Sequence, residues 1–333
     1  MPLNGQTLLL NDSQVREAFT WADGIDALAA AYGSRIDEAQ FPPRSMARGK
    51  GLWLRTLSGV LPGQKLFGAK LIAASPANKV ASYLIPLFDG ETMALVALID
   101  AASITGLRTA ATSALAARRL CTNPAPSIAL IGSGFEARTH LEAMARSGPI
   151  GAATVFSPSP ASRQSFCDAM ADIGIAATAA ASPEAAIAGA DLIICAARSR
   201  DESPTLLGEW LAPGATVVSI GSTLPEQREL DVEAIRRADV IVADMVEEVV
   251  HDTGDMLAAT AAGVDFAPRT VSLEDVVCGD HPGRTDPAQI VIYKSVGAAL
   301  QDLAVAALCV ERALAAGLGT LIPAPITPVN KGK

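Results

Sequence analysis

Between Ser127 and Met144 the chain passes from four apolar residues, Ile128 to Ile131, into Gly132-Ser133-Gly134. A helical pattern follows with Leu141, Met144 and Ala145 on one face. Strand, glycine turn and helix in that order form a dinucleotide-binding fingerprint. The first glycine permits the sharp turn, the second lets backbone approach a pyrophosphate, and a small third residue, here Ala137, lets the helix pack on the strand. The helix N-terminus, with free amides and a favourable dipole, would hold the pyrophosphate. The pattern G-x-G-x-x-A also describes an ordinary tight turn, so the rest of the chain must decide between the two.

Beyond the proline-rich break at 121–126 the sequence alternates. Short apolar runs at 127–131, 152–156, 175–178, 191–196, 215–219 and 239–243 are separated by helical patterns at 135–147, 160–172, 183–188 and 231–237. This rhythm predicts an α/β fold, a Rossmann-type doubly wound parallel sheet of six strands with its ligand crevice at their carboxyl ends. The preceding part reads differently. Residues 11–34 carry helical spacing after Asn11, Asp12 and Ser13, which can cap it. Pro42-Pro43 is extended, and 51–100 reads as antiparallel hairpins. A helix is expected from about 103 to 120, and a long alanine-rich helix over 286–316 returns the chain to its first domain. The predicted division is therefore a discontinuous α+β domain, 1–121 with 302–333, around a dinucleotide-binding domain at 122–301.

A chain of 333 residues, half of them apolar and 18% charged, can bury two such cores. Its net charge of −9 argues against nucleic acid and against an anionic membrane surface. No run of about twenty apolar residues spans a membrane. The N-terminus lacks the basic and apolar regions of a signal peptide, so a cytoplasmic protein is expected. The five cysteines are dispersed, as reduced thiols are. His140, His251 and His281 lie far apart, and no metal site is predicted.

An acid after the second strand of such a unit would bond the ribose 2′-hydroxyl of NAD. Here no Asp or Glu occurs from Gly151 to Cys167, while Ser157, Ser159 and Arg163 do. Hydroxyls and an arginine suit a 2′-phosphate, which favours NADP(H) over NAD(H). The plainer reading of Arg163 is a solvated first-turn residue. Upstream, Lys70 stands among apolar residues on an expected strand, where lysine is costly unless paired or functional. Arg108 lies in a helix nearly free of other charge, and Arg44 and Arg55 precede it. Each alone also fits a structural or surface role; together they begin an anion pocket.

These residues sit in strings that resemble the ornithine cyclodeaminase/μ-crystallin family over nearly the whole chain. The strings are Pro42-Pro43-Arg44, GAKLI at 68–72, LFDGETMALVALIDAASITGLRTAATSALAARRL, IGSGFEARTHLEAM, GEWLAPGATVVSIGS, P-x-x-REL from Pro225 to Leu230, and YKSVGAALQD at 293–302. The resemblance implies a homodimer built on the discontinuous domain, which also binds a small amino or imino acid. It implies that Arg44, Lys70 and Arg108 hold the substrate carboxylate, with Lys70 close enough to donate a proton. It places the nicotinamide cofactor against Thr109, Ser295 and the loop Gly221-Ser222-Thr223. The glycine turn adds Gly132, Ser133, Gly134, Phe135, Glu136 and Ala137 to the expected cofactor site, the segment after the second strand adds Ser157, Ser159 and Arg163, and Ala197 completes it.

Two positions depart from the family pattern. Cyclodeaminases carry an aspartate where this chain has Thr223; the reductase branch carries a hydroxyl residue there. Glu136 stands where glutamine is usual, and an acid beside a pyrophosphate is expected to point away. The leading expectation is an NAD(P)H-dependent reductase of a small α-imino acid, such as pyrroline- or piperideine-2-carboxylate, reversible as an amino-acid dehydrogenase. The alternatives are an ornithine- or lysine-type cyclodeaminase using catalytic NAD, and a non-enzymatic ligand-binding protein.

Overall fold

The computed structural model describes residues 3, 5–63, 65–197, 201 and 203–331. Its contacts divide the chain into two compact units, residues 1–109 with 298–333 and residues 110–297. In chain order the first unit contains β1 (Gln6–Leu10), α1 (Asp12–Ala18), α2 (Trp21–Tyr32), β2 (Ser45–Gly49), β3 (Leu52–Val60), β4 (Leu66–Ser75), β5 (Val80–Asp89) and β6 (Leu95–Asp100). Helix α3 (Ala102–Leu120) begins in it and continues into the second unit.

The second unit then runs β7 (Ile128–Ile131), α4 (Phe135–Ser147), β8 (Ala153–Phe156), α5 (Pro160–Asp172), β9 (Thr178–Ala179), α6 (Pro183–Ile187), β10 (Leu192–Cys195), β11 (Thr216–Ser219) and α7 (Val232–Arg237). It closes with β12 (Val240–Ala243), α8 (Val246–Asp252), α9 (Gly254–Ala261), β13 (Thr270–Ser272), α10 (Leu273–Cys278) and β14 (Val291–Lys294). The chain returns to the first unit as α11 (Ala299–Ala316) and β15 (Thr320–Pro323).

The first unit is a seven-stranded sheet ordered β15-β1-β6-β5-β4-β3-β2. Strands β2 to β6 are successive antiparallel hairpins, as the short apolar runs predict. The pairing Leu57↔Lys70 puts Lys70 on the same face as Leu57 and Gly59. That face is covered by α11, because a Cβ at Gly59 would come within 3.1 Å of Leu303. Leu52, Leu54, Val80 and Leu84 lie on the opposite face and are exposed. The continuous helix expected over 11–34 is two helices. Phe19 is extended at the end of α1, and Thr20 restarts the chain by capping α2 through the Asp23 amide.

The second unit is an eight-stranded, wholly parallel sheet ordered β13-β12-β14-β11-β10-β7-β8-β9. The order reverses at β7, with β8 on one side and β10 on the other, which makes the carboxyl end of β7 the switch point where such sheets bind ligands. Two of the eight strands are additional to the six expected. The three residues of β13 are too few to show alternation. Strand β14 lies inside the segment read as one helix over 286–316, where alanine content masks Val291, Ile292 and Tyr293. These residues pair with both β11 and β12, and Gly297 at φ +84° breaks the chain before α11 starts. The expected strand at 175–178 shrinks to Thr178–Ala179, because Ile175 closes the end of α5 by bonding the Met170 carbonyl. The units meet in sequence within α3 and after Gly297, upstream of the expected joints at 121 and 301; α3 runs unbroken through the junction between Thr109 and Ala110.

Candidate active site

Lys70 projects from the middle of β4 into the first unit and is 1% exposed. Its Nζ lies 2.7 Å from Oδ1 of Asp302, in the first turn of α11. The same oxygen lies 2.9 Å from Nε of Arg108, and Arg108 Nη1 donates to Oε1 of Gln301 at 2.5 Å. Gln301 in turn donates through Nε2 to the Tyr32 hydroxyl at 2.8 Å. Burial lowers the Lys70 pKa to about 8; Asp302 opposes that shift and the Arg108 charge adds to it. One carboxylate thus serves two cations, and this cluster retains an excess positive charge that suits an anion. Asp302 Oδ2, also buried, has no hydrogen-bond partner among the described residues. Arg44, just ahead of β2, and Arg55, on β3, are both half-buried. Arg55 shares the Lys70 face through the pairing Arg55↔Ile72 and adds a further field lowering the Lys70 pKa. Thr109 turns its hydroxyl back to the Thr105 carbonyl of α3.

In the second unit Gly132 sits at φ +114°, where an added Cβ would lie 2.6 Å from the Ala196 carbonyl oxygen. Only glycine fits that conformation and that approach. Gly134 begins α4 without a side-chain cap, and nothing lies within 4 Å of where its Cβ would be. The first amides of α4 are not taken by a side-chain cap, as a pyrophosphate requires. Ala137 is fully buried under the helix, while Phe135 is exposed. Glu136 Oε2 lies 3.9 Å from Nδ1 of His140, one turn along α4, so its carboxylate turns along the helix. Ser133 donates to the Ser157 hydroxyl at 2.8 Å, joining the glycine turn to the end of β8. Ser159 caps α5 through the Ser162 amide. The Arg163 guanidinium lies over the Phe156 ring, 5.3 Å from its centroid, with a 3.5 Å contact to the Ala181 carbonyl.

A third group occupies the ends of β10, β11 and β14. Glu229 accepts from the Ala197 amide at 3.1 Å, the Gly221 amide at 2.9 Å and the Ser219 hydroxyl at 2.7 Å. Lys294 lies 2.9 Å from Asp255 Oδ2 and donates to Ser219 Oγ at 3.0 Å and to the Ser222 carbonyl at 2.8 Å. Asp255 Oδ1 accepts from the amides of Glu229 and Leu230. Ser222 donates to the Gln227 carbonyl, and Thr223 is held by Gln227 Oε1 at 3.0 Å from its amide. Ser295 donates to Asp244 at 2.6 Å, and Asp244 also receives the amides of Val296 and Gly297. The residues around the glycine turn thus fit a dinucleotide: a conformationally open turn, a free helix end and loops fixed from beneath.

The chain matches the ornithine cyclodeaminase/mu-crystallin family over residues 6–317. It belongs to that family. It is 29% identical to an alanine dehydrogenase of Archaeoglobus fulgidus, over 95% of this chain and 98% of that one. Among solved structures it is similar to Thermococcus litoralis Δ(1)-pyrroline-2-carboxylate reductase in complex with NADH and L-proline. That similarity has a TM-score of 0.87 at 27% identity and covers 95% of this chain and 100% of the other. The iminosuccinate reductase of Paracoccus denitrificans in complex with NAD+ also gives a TM-score of 0.87, at 25% identity, covering 95% and 99%. The α/β architecture, with a parallel-sheet domain and a mixed-sheet domain, is that of these neighbours.

For this family member the structure brings Lys70 and Arg108 together, and it brings Gly132, Ser133 and Ser157 together. Asp302, Gln301 and Glu229 are members of these clusters that sequence reasoning did not single out. An acid flanked by Leu300, Leu303 and Val305 was the available signal for Asp302, since such a residue is costly to bury without a cation. Asp255 belongs to the fully buried Lys294 cluster, whereas His251 is exposed beside Glu247.

Proposed function

We propose that the chain is an NAD(P)H-dependent reductase of small α-imino acids, reversible as an amino-acid dehydrogenase, with cyclic ketimines such as pyrroline- or piperideine-2-carboxylate as the type substrates. The observation that carries this reading is the buried Lys70–Asp302–Arg108 cluster, in which two cations share one carboxylate oxygen. Kinship with a pyrroline-2-carboxylate reductase and an iminosuccinate reductase supports it. A bound nicotinamide supplies the hydride for the imine carbon. The chain's own residues do the rest. Arg108, with Arg44, holds the carboxylate in the paired geometry that guanidinium groups favour. The Lys70 ammonium polarises the C=N bond and gives a proton to nitrogen as the carbon is reduced. Asp302 Oδ2 accepts from the resulting N–H. Thr223, a hydroxyl held by Gln227, offers no carboxylate to activate a side-chain amine, which speaks against cyclodeamination.

The cofactor preference we infer is NADP(H) over NAD(H). The segment after β8 supplies Ser157 and Arg163 and no acid, and phosphate recognition by arginine is worth far more than a solvated first-turn charge. We also infer a homodimer, formed through the exposed apolar face of the first sheet. Leu52, Leu54, Val80 and Leu84 align there across β3 and β5, and a second copy of this face would cover an apolar patch that monomers rarely leave in water.

Three outcomes test these readings. Lys70 is active as an ammonium and its pKa is about 8, so kcat/KM for imine reduction falls as pH rises through about 8. Asp302→Asn removes the charge that holds this pKa up, and its alkaline limb moves to lower pH; superimposable profiles would refute the assignment. Arg163→Ala weakens NADPH binding about tenfold or more, the scale of a charged hydrogen bond, and leaves NADH within about twofold. Equal losses for both cofactors would remove the 2′-phosphate role. Light scattering gives twice the protomer mass for the wild type and the protomer mass for Leu54→Glu combined with Leu84→Glu; a wild-type monomer would contradict the dimer.

A further inference from the structure

We propose that Glu229 is a positioning residue for cofactor binding: its one carboxylate clamps together the two loops that follow β10 and β11. This rests on the nicotinamide-cofactor reading above. The Ala197 amide, two residues beyond β10, bonds Oε1, and the Gly221 amide, two residues beyond β11, bonds Oε2. Both loops leave the carboxyl edge of the parallel sheet, the edge on which such sheets receive a nucleotide. The carboxylate so fills the space at Gly221 that a Cβ there would lie 2.4 Å from Glu229 Oε1. A side chain at Gly221 would displace the clamp.

The groups facing Glu229 come from four elements. Ser219 at the end of β11 donates to Oε2, and Lys294 at the end of β14 reaches it through the same hydroxyl. Asp255 of α9 accepts the Glu229 backbone amide. Cys195 at the end of β10 stays a neutral thiol, its pKa raised by burial and by Glu229. Every neighbour on the carboxylate oxygens is therefore a donor, and the arrangement is complete only when Glu229 is ionised. A neutral carboxyl must find an acceptor for its own proton among these donors and accepts more weakly, so the loop-amide bonds to it loosen.

Burial raises the Glu229 pKa to about 7, against the pull of Lys294, Ser219 and the Gly221 amide. Two consequences have opposite signs. The folded pKa lies above the ordinary value of 4.5, so the stability from this group is present below about 4.5 and lost as pH rises through about 7. The clamp does the reverse: it tightens as pH rises through about 7. His140, held at about 4 by burial in α4, is outside this window.

The test is direct titration with NADH, which carries no ionisable 2′-phosphate, followed by fluorescence at pH 6.0 and 8.5. Wild type is expected to bind about fivefold or more tightly at pH 8.5, the scale of one buried amide regaining its acceptor. Glu229→Gln places a carboxamide N–H against a donor, so it should bind NADH about tenfold more weakly at pH 8.5 and lose the pH dependence. Ser219→Ala keeps the carboxylate and both amide bonds and should retain the pH dependence; it also serves if the glutamine variant does not fold. The proposal is overturned by a wild-type affinity that is flat with pH, by Glu229→Gln binding as tightly as wild type, or by a Ser219→Ala curve that has become flat. Absence of NADH binding at either pH would instead contradict the nicotinamide-cofactor reading itself.

Discussion

A lysine placed in the middle of a covered β-strand cannot be hydrated. The structure answers this with a carboxylate 232 residues further along the chain. Strand β4 lies in the first hairpins, and Asp302 enters only after the chain has completed the second unit and returned. The Lys70–Asp302 pair therefore requires both segments of the first unit to be assembled. Removing one partner from such a pair typically costs about 3–5 kcal/mol, because the other charge is left buried and uncompensated. Asp302 also receives Arg108, so one carboxylate fixes two cations whose combined charge it does not cancel.

The second unit uses the same device at a different place. Lys294 ends a buried strand and is paired with Asp255, and Glu229 is joined to it through Ser219. There the polar network bonds backbone amides. It lies beneath backbone loops, and its carboxylates consume amides that the sheet cannot satisfy at its carboxyl edge. The glycine turn supplies the open helix end. The buried acids hold the neighbouring loops in register with it, a division of labour that suits a parallel sheet whose strands all end on one side.

Much of this was legible in the sequence. The Gly132–Ala137 turn was visible because the turn needs glycine for steric reasons that no other residue meets, and Lys70 because lysine is conspicuous in an apolar strand. Partners were harder to read. Asp302 sits in a run whose alanine content announces a helix and says nothing of what its first turn faces. Glu229 and Asp255 lie in loop and short-helix segments where acids are common, and only the fold shows that both are buried. The same alanine bias hid β14, whose four residues are specified by pairing with β11 and β12 rather than by local periodicity. Thr20 broke a helix that spacing alone carried from 11 to 34, because a capping hydroxyl outweighs apolar periodicity at one position.

The central claim is that the Lys70–Asp302–Arg108 cluster recognises the carboxylate of an imino acid during reduction. The most direct measurement compares initial rates of NADPH oxidation with 1-pyrroline-2-carboxylate and with 1-pyrroline, which lacks only the carboxylate, in the wild type and in Arg108→Leu. The wild type should prefer the carboxylated imine by about a hundredfold or more in kcat/KM, the scale of losing one or two charged hydrogen bonds, and Arg108→Leu should abolish most of that preference. Equal turnover of the two imines by the wild type, or an undiminished preference in Arg108→Leu, would contradict the account.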